Sequence, residues 1–162
     1  MTSRTRQRND GGFGSWSDSW RSDPWLTAYV VWGLRRAQER DVKIPETVMA
    51  RAMDYLADQL RRSDDGTSDV WIGLSTKAFI VYVLADAGEP EIGFQEALFD
   101  RYDELPLIAR GWLALAYILS DDACAAGDCV PIVELRRDLE NHVFQTAEEA
   151  HFEENVGDLY RV

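Results

Sequence analysis

Helical segments of two kinds alternate along this chain, and the alternation limits its fold more than any other feature. The first, third and fifth segments are apolar around most of their circumference, whereas the second, fourth and sixth have one apolar and one charged face. A helix that is apolar all round must be covered by neighbours on several sides. In no stretch do apolar and polar residues alternate for long enough to predict a strand with conviction.

Prolines mark where these helices begin. All five prolines precede a helical pattern, and proline suits the first helical position because the N–H that it lacks has no partner there. Asp23 is a good N-cap for the first helix and Ser75 for the third, and Gly88 fits the C-terminal end of the third. We therefore predict helices near residues 24–40, 45–62, 75–87, 90–102, 106–120 and 131–145.

Short turns between consecutive helices indicate helical hairpins. Stacked hairpins that place apolar helices inside and charged helices outside form a curved array of two layers. We expect an all-α fold, a partial α/α toroid of about three hairpins, in which residues 1–162 form a single domain. Because three hairpins would make only part of a ring, the inner helices should expose apolar flanks.

Composition excludes several classes of function. The net charge of −12 argues against binding to nucleic acid or to an anionic membrane surface, since both need clustered Lys and Arg. The polar, basic start lacks the apolar run of a signal peptide, and no stretch reaches the roughly 20 apolar residues that span a bilayer. We therefore predict no direct membrane insertion.

The two cysteines, Cys124 and Cys129, allow a disulfide. In an oxidising compartment they can close a small loop, whereas in a reducing one they would stay as thiols. A zinc site would need four ligands, and there is neither a second cysteine pair nor an adjacent histidine.

The glycine- and tryptophan-rich entry segment, residues 1–22, allows two interpretations. Its part from Asp10 to Trp16 contains three glycines, which permit positive φ angles and close approach of the backbone. The loop is either a structural clasp that seals one end of an inner helix, or a rim that faces a ligand or partner through Phe13, Trp16 and Trp20. It is not a phosphate loop, because it lacks the Gly-Lys-Ser/Thr ending and follows no strand.

Three ordered motifs resemble a known family. Q-x-x-D-G-G-F-G-x-W over residues 7–16, followed by P-W-L-T-A-Y-V-V over residues 24–31, resembles the thioester-containing domain of the alpha-2-macroglobulin and complement family, above all the bacterial alpha-2-macroglobulins. E-L-P-L-I-A-R-G-W-L-A-L-A over residues 104–116 is similar to an inner helix of that domain. T-A-E-E-A-H-F-E-E over residues 146–154 resembles a segment near its end, so we expect a structural hydrogen bond, or a place on the rim, for His151.

The resemblance implies a large, multidomain protease inhibitor in the periplasm or outside the cell, with or without a membrane anchor. Such proteins change shape when a bait region is cut and trap the protease. Their Cys–Gln thioester, in a C-x-E-Q motif, captures nucleophiles, chiefly protease lysines. Partners would be target proteases and the neighbouring domains of the parent protein.

This sequence departs from the family pattern at the thioester. Ala-Ala-Gly follows Cys124 and Val-Pro-Ile follows Cys129, so neither matches C-x-E-Q. In the family that motif lies upstream of the glycine-rich loop, and a last inner helix follows the His-containing segment. We therefore expect an internal fragment of the domain, without catalytic residues, cofactor or metal.

Two alternatives stay open from the sequence. Terpene cyclases and protein prenyltransferases share the α/α toroid, but they need D-x-D-D, D-D-x-x-D or a zinc site of Asp, Cys and His. Asp64-Asp65-Gly66 and Asp121-Asp122-Ala123 fit none of these. The other alternative is a plain helical interaction module.

Overall fold

The computed structural model describes residues 7–15, 21–64, 66, 72–145 and 150–152. Within these ranges the chain is mainly helical, which confirms the predicted all-α class. The elements are α1 (Pro24–Gln38), α2 (Glu46–Asp64), α3 (Leu74–Asp86), α4 (Ile92–Phe99), a 3-10 turn (Tyr102–Glu104), α5 (Leu107–Ser120), the short α6 (Asp122–Ala125), α7 (Val130–Asn141), β1 (Val143–Gln145) and β2 (Ala150–Phe152).

Local chemistry fixes the ends of the inner helices. Asp23 caps α1 because its Oδ1 accepts a hydrogen bond from the backbone N–H of Leu26 at 2.9 Å, and Pro24 is the first helical residue. At the end of α3, Gly88 has a φ of +89°. The N–H groups of Gly88 and Glu89 then bond to carbonyls of the last turn at 3.0 and 2.9 Å. The caps predicted at Asp23 and Gly88 are confirmed. The N-cap predicted at Ser75 is wrong, because α3 begins at Leu74 with Gly73 in the N-cap position.

The helices form two layers. Helices α1, α3 and α5 lie side by side with α3 in the middle, and α2, α4 and α7 pack against this row. The central helix α3 is covered on both flanks, and seven of its residues are buried: Ala78, Phe79, Ile80, Val81, Val83, Leu84 and Ala85. The predicted arrangement, apolar helices inside and amphipathic helices outside, is therefore confirmed as a partial α/α toroid.

The two outer members of the inner row expose large apolar side chains. On α1, Trp25 and Tyr29 are 47% and 50% exposed, although Trp25 also packs against Phe79 of α3. On α5, Ile108, Leu115 and Leu119 are 59%, 43% and 47% exposed. Large apolar side chains thus remain uncovered at both ends of the row, as expected for part of a ring.

Two predicted boundaries are wrong. Helix α4 ends at Phe99 rather than near residue 102, because a 3-10 turn replaces its last turn. The sixth predicted helix ends at Asn141, and Val143–Gln145 pairs antiparallel with Ala150–Phe152. The sequence did not predict these two short strands. Val143 and the aromatic residues in this stretch favour strands, but strands of three residues are too short for a period-two pattern to reveal them.

None of the described helices is long and apolar enough to cross a membrane.

Candidate functional site

The glycine-rich loop, residues 7–15, is tied to α2. The Nε2 of Gln7 donates hydrogen bonds to the carbonyl oxygens of Val48 at 2.8 Å and Gly11 at 2.9 Å. From the other side, the guanidinium of Arg51 donates to the carbonyl oxygens of Arg8 and Asn9 at 2.7 and 3.0 Å. Side chains at both ends thus hold the loop against α2.

The loop needs glycines because its backbone packs closely against neighbouring atoms. Gly11 has a φ of +91°, and a Cβ added there would overlap the carbonyl oxygen of Arg51. A Cβ at Gly12 would overlap the side chain of Ser22. Asp10 completes the turn, because its Oδ1 accepts from the N–H of Gly12 at 3.0 Å and from the hydroxyl of Ser22 at 2.8 Å.

Phe13 joins the loop to the start of α1. Its backbone N–H donates to the hydroxyl oxygen of Thr27 at 2.9 Å, and its carbonyl accepts from the N–H of Asp23 at 2.8 Å. The Thr27 hydroxyl in turn donates to the carbonyl of Asp23 at 2.7 Å, and Thr27 is fully buried. These contacts make the loop a clasp across the start of α1 and the side of α2.

The proposed rim role of Phe13 is wrong. Its side chain is only 5% exposed and belongs to the main hydrophobic core, so it has no surface to offer a partner. Trp16 and Trp20 lie outside the described residues. His151 lies in β2, opposite Phe144 in the strand register, and its side chain is not among those described. Its role, like those of Trp16 and Trp20, stays a prediction.

The two cysteines lie at the far end of the inner row. The structure has a disulfide between Cys124 in α6 and Cys129 just before α7, with the two Cα atoms 4.7 Å apart. Asp121 caps the short helix, since its Oδ1 accepts from the N–H groups of Ala123 and Cys124 at 2.7 and 3.1 Å. The bond therefore closes the connection between α5 and α7.

Ion pairs join helices of the row to their neighbours. The guanidinium of Arg36 in α1 lies 2.5 Å from a carboxylate oxygen of Asp86 in α3, and this hydrogen bond is the main reason why the pKa of Arg36 is raised. Between α5 and α7, Arg110 lies 2.6 Å from Asp138 and also donates to the carbonyl of Leu105 at 2.8 Å. Both ion pairs fix helix against helix.

Where the structure shifts the pKa of a side chain, the shift is away from neutral pH. Burial raises the pKa of Tyr55 and of Tyr117, that of Tyr117 to about 12. The hydrogen bond from Arg101 lowers the pKa of Glu104. Groups shifted in these directions stabilise packing and ion pairs and do not supply a general acid or base near pH 7. Within the described residues, no group of three or more His, Cys, Asp or Glu side chains could hold a metal ion.

Sequence reasoning missed the partners of the clasp. Thr27 and Arg51 complete it, yet the prediction treated the loop alone. One signal was available for Thr27, because it is a hydroxyl residue in an otherwise apolar first turn. Nothing in the sequence pointed to Arg51, which reaches the loop across more than 40 residues.

The clasp and the two helices that follow it, α1 and α2, fall within a match to a known domain family. Residues 1–69 match the family described as the A-macroglobulin TED domain, where TED stands for thioester-containing domain. The resemblance recognised in the motifs is therefore confirmed. No curated protein sequence matches the chain.

Solved structures of bacterial alpha-2-macroglobulins share the fold. Salmonella alpha-2-macroglobulin reacted with methylamine is 25% identical, with a TM-score of 0.66 over 88% of this chain and 9% of that one. Escherichia coli alpha-2-macroglobulin from domain MG7 to the C-terminus is 22% identical, with a TM-score of 0.66 over 85% of this chain and 21% of that one. The trypsin-activated Escherichia coli protein is 20% identical, with a TM-score of 0.66 over 85% of this chain and 9% of that one.

The chain thus spans a small part of these relatives, 9% of the Salmonella protein. What the structural matches establish is the fold.

Proposed function

We propose that this chain is a scaffold segment of the thioester-containing domain in a bacterial alpha-2-macroglobulin-like protease inhibitor. The clasp is the observation that carries the proposal. Gln7, Asp10, Gly11 and Gly12 are motif residues, and each has a packing or hydrogen-bonding reason for its identity. The same stretch falls within the region that matches the A-macroglobulin TED domain.

The segment acts as a scaffold and not as an enzyme. It has two cysteines in all, neither followed by the residues of a C-x-E-Q motif, and both take part in the disulfide. A reactive acyl group of the parent protein would have to come from another part of the polypeptide. The role of this segment is to support and shield such a group and to pack against neighbouring domains.

The proposed location is the periplasm or the extracellular space. Disulfides persist in oxidising compartments, and Cys124 and Cys129 are placed to form one. The proposed partners are proteases, since one relative with this fold is described as activated by trypsin. An isoprenoid-type enzyme is not favoured, because the family match and the structural matches reported above are to alpha-2-macroglobulins.

Trapping of a protease can be tested on the gene product that contains this chain. The product is mixed with trypsin, and the remaining activity is measured on a small chromogenic peptide and on a protein substrate. A trap leaves the peptide accessible but keeps the large substrate away, so we expect hydrolysis of the protein to fall while hydrolysis of the peptide persists. Equal residual activity on both substrates would contradict the proposal.

A further inference from the structure

The clasp contains an aspartate followed directly by a glycine, Asp10 and Gly11. An aspartyl side chain can cyclise onto the backbone nitrogen of the next residue, and glycine favours this reaction because it has no Cβ to obstruct the approach. Asp10 is exposed to solvent, so water can reach its carboxyl group. A chemically labile peptide bond therefore lies at the centre of the clasp.

The reaction needs no partner other than water. The backbone nitrogen of Gly11 bonds to Cγ of Asp10, and its proton leaves with the hydroxyl of the carboxyl group as water, which gives a cyclic succinimide. Hydrolysis adds water again and breaks one of the two bonds that the nitrogen makes to carbonyl carbons. Breaking the bond to Cγ restores aspartate. Breaking the bond to the main-chain carbonyl carbon of Asp10 leaves isoaspartate, in which an extra methylene group lies in the main chain.

The closed clasp occupies the nucleophile of this reaction. The N–H of Gly11 donates a hydrogen bond to the carbonyl oxygen of Arg8 at 3.1 Å. The same carbonyl oxygen accepts from the guanidinium of Arg51 at 2.7 Å, which fixes it to α2. Gly11 is buried against this helix. Its nitrogen would have to give up the bond to Arg8 and leave the surface of α2 before it could attack the side chain of Asp10.

The closed clasp also holds the group that would be attacked. The Oδ1 of Asp10 accepts hydrogen bonds from the N–H of Gly12 at 3.0 Å and from the hydroxyl of Ser22 at 2.8 Å. Ser22 is itself buried, at 5% exposed. These two bonds keep the carboxyl group in one orientation, so it cannot turn freely to present Cγ to the nitrogen of Gly11.

We propose that Asp10 and Gly11 form a modification site that isomerises through a succinimide when the clasp opens and is protected while the clasp is closed. The product does not fit the closed clasp. In isoaspartate the former side-chain carbonyl belongs to the main chain, so the acceptor for Gly12 and Ser22 is displaced. The longer main chain also moves Gly11 from its contact with Arg51. Isomerisation therefore keeps an opened clasp open. This proposal concerns the clasp itself and does not depend on protease trapping.

The rate of isomerisation is measured by incubating the purified chain at neutral pH and digesting samples with trypsin after denaturation. The peptide from Asn9 to Arg21 contains Asp10. Its isoaspartyl form has the same mass but a different retention time, and isoaspartyl methyltransferase adds a methyl group to it. Fragmentation in the mass spectrometer assigns the isomer to residue 10. A synthetic peptide of residues 7–15 gives the rate without the clasp, and the folded chain should isomerise about tenfold more slowly or less.

Two variants weaken the clasp. Arg51→Ala removes the hydrogen bonds to the carbonyl oxygens of Arg8 and Asn9. It should isomerise about tenfold faster than the unmodified chain, because the loss of these bonds makes opening easier. Ser22→Ala removes one of the donors to Asp10 and should raise the rate as well. Circular dichroism checks that both variants keep the helical fold.

Two control variants separate opening of the clasp from other effects. Arg61→Ala also removes an arginine of α2, but Arg61 pairs with Glu91 and not with the loop. Gly88→Ala strains the end of α3, where φ is +89°, and so lowers the stability of the fold outside the clasp. Both controls should isomerise at the rate of the unmodified chain.

Three results would overturn the proposal. The first is a folded chain that isomerises as fast as the free peptide. The second is a rate that neither Arg51→Ala nor Ser22→Ala raises. The third is a rise in Gly88→Ala as large as that in Arg51→Ala, because global unfolding rather than opening of the clasp would then expose the site.

Discussion

Replacing Gly11 with alanine tests the clasp at its tightest point. Gly11 adopts a φ of +91°, where an L-residue is strained, and an added Cβ would overlap the carbonyl oxygen of Arg51 and lie 2.9 Å from its carbonyl carbon. The left-handed backbone costs alanine about 1–2 kcal/mol. The overlap is with backbone of α2, which cannot move aside as a flexible side chain can, and overpacking adds about 1–3 kcal/mol. We expect a total loss of about 2–5 kcal/mol.

Gly88 supplies a matched control for this substitution. Its φ of +89° is nearly the same, but a Cβ there would meet nothing within 4 Å. Gly88→Ala should therefore lose only the backbone part, about 1–2 kcal/mol. Urea unfolding of both purified variants, followed by far-UV circular dichroism, gives the two free energies of unfolding. Equal losses in the two variants would refute the conclusion that contact with Arg51 selects glycine at position 11.

Three further predictions follow from the clasp, the disulfide and a buried phenol. Thr27→Val should lower the free energy of unfolding by about 1–3 kcal/mol, because the buried N–H of Phe13 would lose its acceptor. Unreduced protein should be lighter than the fully reduced chain by the two thiol hydrogens of Cys124 and Cys129 in mass spectrometry, and reduction should cost about 2 kcal/mol of stability for so short a loop. Folding raises the pKa of Tyr117 from 10.0 to about 12, so its contribution to stability is complete below pH 10 and is lost as the pH rises through about 12. A titration of tyrosinate absorbance, compared between folded and urea-unfolded protein, measures this shift.

Each of these predictions has its own control. Thr47 is exposed at the start of α2, so Thr47→Val should leave stability nearly unchanged. If Thr27→Val is equally harmless, the hydroxyl does not support the clasp. Detection of free thiols in protein refolded under oxidising conditions would contradict the predicted disulfide. For Tyr117, the control is a Tyr117→Phe variant. If its alkaline unfolding matches that of the unmodified chain, the pKa of Tyr117 is not raised by folding.

Several features were readable from particular residues. Asp23 before Pro24 predicted the start of α1, and the helix begins there. Gly88 predicted the end of α3 by the same kind of local argument. Such signals work because capping and positive φ angles depend on a few adjacent residues. The motif from Gln7 to Trp16 predicted the domain type, since its glycines and polar residues are tied to one backbone conformation.

Other features escaped prediction because no local residue pattern records them. Phe13 was a candidate for the rim on the strength of its aromatic ring, but the hydroxyl of Thr27 and the core behind it decide that it is buried. The hairpin of β1 and β2 depends on pairing between strands of three residues each, too short for a periodic signal. Phe13 depends on a contact 14 residues along the chain, whereas the partner strands of the hairpin are close in sequence but too short to show a pattern.

The sequence by itself determined that apolar helices alternate with helices that have one charged face, and hence that they lie in two layers. The distribution of apolar side chains around a helix determines how much of its surface must be buried. It did not determine which neighbour does the covering. Only the tertiary structure decided that α3 is enclosed on both flanks while α1 and α5 each keep large apolar side chains exposed. The reason is that burial of a flank depends on where another segment lies in space, which residue periodicity does not record.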